Sequence, residues 1–89
     1  MLIALIARDK PGALQIRLDT RNAHVAYLKS TGAVSQAGPL LDSTGEMIGS
    51  LIILDVEDMN AAEEWAAQDP YTHAGLFETV ELIPWKKVI

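Results

Sequence analysis

The sequence predicts an α+β fold: a four-stranded antiparallel sheet with two helices on one face, in the order β-α-β-β-α-β. Three observations carry this expectation. Two apolar runs, Met1–Ala7 and Leu51–Leu54, have no polar alternate face, as strands buried on both sides do. Two other extended stretches contain Pro39 and Pro84, and proline cannot donate to a central ladder, so these stretches belong at the edges. Helical segments fall after the first strand and after the third. In the split motif of this order, the ferredoxin-like arrangement, strands one and three are central and strands two and four are edges. The apolar and the proline-bearing runs fall in those places.

Taken in order, Met1 to Ala7 forms the first strand, and Asp9-Lys10-Pro11-Gly12 ends it with turn residues. A helix follows over Ala13 to Thr31, rich in Leu, Ala and Arg, with Gly32 placed to stop it. Ala33 to Asp42 is the second strand. Asp42-Ser43-Thr44-Gly45 is a hairpin turn leading into the third strand, Met47 to Val56. Asp58 stands as N-cap of a second helix that runs to Gln68 and is stopped by Asp69-Pro70. Pro70 to Gly75 is a turn or helical knuckle, Phe77 to Trp85 the last strand, and Lys86 to Ile89 a tail. Two helices cover only one face of such a sheet. Strands one and three are apolar on both faces and no further element remains, so a second copy is expected to cover the other face. The expected assembly is a homodimer packed sheet to sheet, with a higher assembly of dimers left open.

A chain of 89 residues has room for one domain, over residues 1–89. Twelve acidic residues against seven basic ones argue against nucleic acid as a partner, because phosphate binding needs a basic face. No apolar run approaches a membrane span. Met1–Ala7 lacks the basic start and long apolar region of a signal peptide, so the expected location is the cytoplasm. Without cysteine there is no disulfide and no thiolate chemistry. Two histidines and no cysteine do not suggest a zinc site. There is no phosphate loop, no dinucleotide fingerprint and no serine in a nucleophile elbow. Neither a metal nor a cofactor is expected.

The first helix carries the candidate chemistry. At about 100° per residue, Leu14, Leu18, Val25 and Leu28 form one apolar stripe with Arg21 inside it, and Arg17 and His24 lie on its shoulder. A guanidinium is almost never buried without a partner. His24 is the titratable group with an ordinary pKa near neutrality that sits on a long regular element. On the residues alone two readings stay open. One is an acid–base group beside arginines that hold an anion. The other is a packed histidine with arginines that are solvated or paired to carboxylates. Asp69 is the second candidate. Asp69-Pro70 has the form of an N-cap followed by proline at the first helical position. The same carboxylate could orient the imidazole of His24, since it has two oxygens. Tyr71 and Tyr27 could line a pocket or fill the core. Gly38-Pro39 brings backbone close to a ligand or to a neighbouring strand. Trp65 reads as a core anchor, and Arg8 and His73 as surface residues.

Several stretches in this order resemble the YciI-like (YCII-related) family. They are Arg21-Asn22-Ala23-His24-Val25-Ala26-Tyr27-Leu28, Ala37-Gly38-Pro39-Leu40, Trp65-Ala66-Ala67-Gln68-Asp69-Pro70-Tyr71, Ala74-Gly75 and Pro84-Trp85-Lys86-Lys87-Val88. The resemblance spans essentially the whole chain. It implies the dimeric α+β barrel superfamily, with the same ferredoxin-like fold and sheet-packed dimer. It also implies a His–Asp pair as active site, which falls on His24 and Asp69, and chemistry like the dehydrochlorination of a chlorinated hydroxyhydroquinone. The expectation is a small enzyme of lyase, dehydrochlorinase or isomerase type acting on a small anionic or hydroxylated aromatic molecule. His24 moves the proton and Asp69 orients it. Arg21 and Arg17 hold a negative group, with Gly38, Pro39 and Tyr71 against the substrate. The alternative is a dimeric accessory module that binds a small acid without transforming it.

Overall fold

A computed structural model describes residues 1–89. Its elements are β1 (Leu2–Asp9), α1 (Leu14–Thr31), β2 (Val34–Leu41), β3 (Met47–Asp55), α2 (Met59–Gln68), α3 (Pro70–His73) and β4 (Phe77–Trp85). The sheet order is β2-β3-β1-β4, antiparallel throughout. The apolar strands are central and the proline-bearing strands are edges. Pro39 lies opposite Ser50 and Pro84 opposite Ile3, each on a strand with one neighbour, where a missing donor costs no ladder bond.

Alternation sorts the central strands into two layers. Ile3, Leu5 and Ala7 pair with Leu54, Ile52 and Ser50, and all six are buried. The five apolar ones join Ala62 and Trp65 of α2 in the main core cluster. Each fully buried Leu or Ile contributes about 1.5–3 kcal/mol relative to exposure. The intervening residues face the other way. There Leu51, Ile83 and Trp85 are 40%, 44% and 40% exposed, and no element of the chain covers them. The hairpin between β2 and β3 is tied by Asp42, whose Oδ1 accepts from Thr44 N, Thr44 Oγ1 and Glu46 N at 2.8, 2.7 and 3.0 Å. Gly45 takes the left-handed conformation that the turn needs, with φ 87°. Gly49 is required for another reason: a Cβ there would collide with the carbonyl oxygen of Ala7 on the adjacent strand.

Strand ends shift slightly from the sequence expectation. β1 runs two residues past Ala7, because Arg8 still pairs with Gly49 and Thr79, and Asp9 with Phe77 across a bulge. The larger departure is the rotation of α1. The expected stripe placed Leu18 and Arg21 inward. Leu18 is instead 47% exposed and Arg21 is exposed, while Arg17 and His24 are buried at 3% and 6%. Leu14, Val25 and Leu28 stay half-buried. The helix turns toward its polar shoulder because both polar groups find partners there, which removes the penalty of burying them. No helix is long and apolar enough to cross a membrane.

Candidate active site

Asp69 owes its position to Pro70. The residue before a proline is pushed out of the helical region, so α2 stops at Gln68 and Asp69 becomes extended, with φ −60° and ψ 128°. Its side chain then caps α3, where Oδ1 accepts from Tyr71 N at 2.9 Å. The same oxygen receives His24 Nδ1 of α1 at 2.8 Å. The sequence reading allotted one carboxylate oxygen to each role; in the fold both donors share Oδ1, and Oδ2 is buried with no hydrogen-bond partner. Two further bonds fix α2 against α1 and so set this meeting. Tyr27 Oη donates to the Trp65 carbonyl at 2.7 Å, and Trp65 Nε1 donates to Thr31 Oγ1 at 3.0 Å. Burial and the Asp69 charge raise the Tyr27 pKa above 10.0, so its hydroxyl stays a donor at neutral pH.

An ionised carboxylate only accepts, so the bond to Asp69 places the imidazole hydrogen on Nδ1 and leaves the Nε2 lone pair free. Nε2 has no partner in the chain and is not sealed from solvent. The ring stacks on Tyr71, with centroids 3.8 Å apart and planes at 15°. The Arg17 guanidinium also lies over the Tyr71 ring, 4.7 Å from its centroid. Tyr71 is 2% exposed, and burial raises its hydroxyl pKa above 10.0, although the charges of Arg17 and Arg21 pull the other way.

Arg17 is held from β1 and β3. Its Nε and Nη2 donate to Asp9 Oδ2 and Oδ1 at 2.7 and 2.9 Å, a two-point ion pair, and Nη2 also donates to Ser50 Oγ at 2.9 Å. Burial works against its charge, but the hydrogen bond and attraction of Asp9 outweigh that, and the Arg17 pKa rises. Its charge is therefore answered inside the protein. Arg21, one turn on, is exposed and makes no ion pair within the chain.

These groups meet at a recess of about 220 Å³ between α1 and the β2–β3 side of the sheet. Arg17, Arg21, His24, Gly38, Pro39 and Tyr71 all line it, together with Ser50 and apolar side chains such as Val25, Leu28 and Ile52. Asp69 stands behind His24 and does not line it. Gly38 was expected to mark a close backbone approach, yet a Cβ there would meet nothing within 4 Å in this chain. Arg8 and His73 are exposed. Two participants escaped the sequence reading. Asp9 was read as turn chemistry, although it lies eight residues before Arg17. Ser50 was unmarked; its only signal was a hydroxyl in register with the apolar alternates Ile52 and Leu54. A wider groove of about 530 Å³ lies on the uncovered sheet face and shares Ala37, Gly38 and Pro39 with the recess. That strip of β2 is thus a wall with the recess on one side and the open face on the other.

Comparison with known proteins places the chain among relatives. The model of the YCII-related domain matches residues 1–86. Protein YciI of Escherichia coli O6:H1 is 39% identical over 97 residues, covering 99% of this chain and 99% of that protein. An uncharacterized protein of Haemophilus influenzae is likewise 39% identical over 97 residues, with 99% of each chain covered. Among solved structures, a 5-chloro-2-hydroxyhydroquinone dehydrochlorinase from Burkholderia phenoliruptrix AC1100, in complex with 2,5-dihydroxybenzoquinone, is similar with a TM-score of 0.89 and 34% sequence identity. The match covers 97% of this chain and 94% of that one.

Proposed function

Because the chain belongs to the YCII-related domain family, we propose that it is a small-molecule enzyme whose acid–base group is His24. The observation that carries this reading is the single arrangement of His24: Nδ1 bonded to Asp69 at 2.8 Å, and Nε2 left without a partner beside the recess. Asp69 fixes the ring and steadies its positive form, a pattern found wherever a histidine is oriented by a carboxylate. Arg21 supplies the positive charge for an anionic oxygen. Arg17, neutralised by Asp9, contributes position and an N–H rather than net charge. This revises the expectation that both arginines hold the negative group.

The substrate class is a small hydroxylated ring or small acid. A recess of about 220 Å³ lies below the range of about 300–1,000 Å³ typical for drug-sized ligands, so it suits a molecule of one ring. The dehydrochlorinase similarity supports a hydroxylated aromatic. One imidazole can take a proton from a ring hydroxyl and return it to a ring carbon, which is an isomerisation. If that carbon carries chlorine, loss of chloride with its bonding electrons and of a second proton completes elimination of HCl. The test is chloride release from 5-chloro-2-hydroxyhydroquinone by the protein and by His24→Ala. Equal rates above the uncatalysed one would remove His24 from the reaction, and release no faster than without protein would leave a module that binds small acids without transforming them.

Two copies packed through their open sheet faces complete the proposal. Exposed Leu51, Ile83 and Trp85 support it, as do the apolar Ala4, Ile6 and Ile53, which alternate onto the same open face and line its groove.

A further inference from the structure

Among the six buried residues that face the helices from β1 and β3, Ser50 alone is polar; the others are Ile3, Leu5, Ala7, Ile52 and Leu54. It is 3% exposed and forms part of the recess wall. A hydroxyl in such a place needs one group to receive from and one to give to. Arg17 Nη2 supplies the first, donating to Ser50 Oγ at 2.9 Å. A guanidinium has no lone pair, so the hydroxyl cannot return the bond. No group of the chain accepts the Ser50 hydrogen, which leaves it for whatever occupies the recess.

We propose that Ser50 donates this hydrogen to an oxygen of the bound molecule, a carbonyl or ionised hydroxyl oxygen on a planar ring, and thereby sets how the ring lies relative to His24. The proposal rests on the reading of the recess as the site for a hydroxylated ring. The Arg17 N–H polarises the Ser50 oxygen and strengthens its O–H as a donor. Since Asp9 answers the Arg17 charge, Ser50 offers direction without net charge, and Arg21 offers charge from the rim. A ring with an oxygen at each donor is held at two points, with Nε2 of His24 free for the proton. A ring lacking the oxygen at Ser50 strands a buried donor and is discriminated against.

The test is calorimetric titration of the unsubstituted protein and of Ser50→Ala with 2,5-dihydroxybenzoquinone. The unsubstituted protein is expected to bind it, and Ser50→Ala to bind about tenfold more weakly or worse. A crystal structure of the unsubstituted protein with the same probe is expected to place a ring oxygen about 3 Å or less from Ser50 Oγ, and it decides the question should the variant not fold. Equal binding by Ser50→Ala, no binding by the unsubstituted protein, or a ring bound with no oxygen at Oγ overturns the proposal. Each of these leaves the acid–base reading intact if turnover still depends on His24. Conversely, Ser50-dependent binding with turnover indifferent to His24 overturns that reading and keeps this one.

Discussion

His24 and Tyr71 lie ring on ring, 3.8 Å between centroids, and the backbone N–H of the same Tyr71 bonds Asp69 Oδ1 at 2.9 Å. One residue of the α3 knuckle thus touches both members of the pair. The ring does the holding, since no hydrogen bond of the Tyr71 hydroxyl supports either partner. Tyr71→Phe should therefore change stability by less than about 1 kcal/mol and leave turnover near that of the parent. Tyr71→Ala should cost about 3–5 kcal/mol, because it empties a 2% exposed site. Chemical denaturation of the two variants checks the contrast.

Arg17 and Arg21 should part company under mutation. Asp9→Ala leaves the Arg17 guanidinium buried and unpaired, at a cost of about 3–5 kcal/mol, which lowers the melting temperature by more than about 10 °C in a domain of this size. Arg21→Ala removes an exposed side chain and should move stability by less than about 0.5 kcal/mol. It should nevertheless weaken binding of an anionic ring by about tenfold. Calorimetric melting and ligand titration, run side by side, check both.

Tyr27 and Tyr71 are the chain's two tyrosines. Burial raises the pKa of both above 10.0. The folded state then holds these protons more tightly than the unfolded chain does. The linked stability is complete below pH 10 and is lost as pH rises through the folded values. Absorbance titration of phenolate should show no ionisation step near pH 10 in the folded protein. Ionisation should arrive later, together with loss of circular dichroism.

The open sheet face predicts an assembly. Sedimentation at micromolar concentration should give a dimer, and Leu51→Glu or Ile83→Glu should shift it to monomer by placing charge in an apolar interface. A stable monomer of the parent at that concentration contradicts the sheet-packed pair.

Much of this was legible in the residues, for reasons of pattern. Runs without a polar alternate face, Pro39, Pro84 and the Asp42–Gly45 turn each act locally, so strand order and edges could be read one segment at a time. The face of α1 could not. A helical wheel ranks side chains by polarity, and by that measure Leu18 belongs within the inner stripe and Arg17 only on its shoulder. The ranking reverses once Asp9 and Ser50, from two different strands, reach Arg17. Asp69 was visible as a cap beside Pro70. Its bond to His24 joins residues 45 positions apart, and the packing of α2 and α3 on α1 creates it.

The proposed division of labour makes a kinetic prediction. On a substrate the enzyme accepts, His24→Ala should lower kcat by about 10²–10⁴-fold, the span usual for losing a general acid–base. Asp69→Asn should act through the same imidazole, so the double substitution should be hardly worse than His24→Ala alone. Steady-state rates of the three variants test this, and multiplying losses would separate the two residues.

The most direct measurement needs no substrate. In the nitrogen NMR spectrum of the imidazole, with His73→Gln used to assign the signals, neutral His24 is predicted to carry its hydrogen on Nδ1 and to leave Nε2 bare, a preference that Asp69→Ala, which removes the acceptor, abolishes. A neutral ring protonated on Nε2 in the unsubstituted protein would contradict the account, because the nitrogen assigned to the recess would have no lone pair to work with.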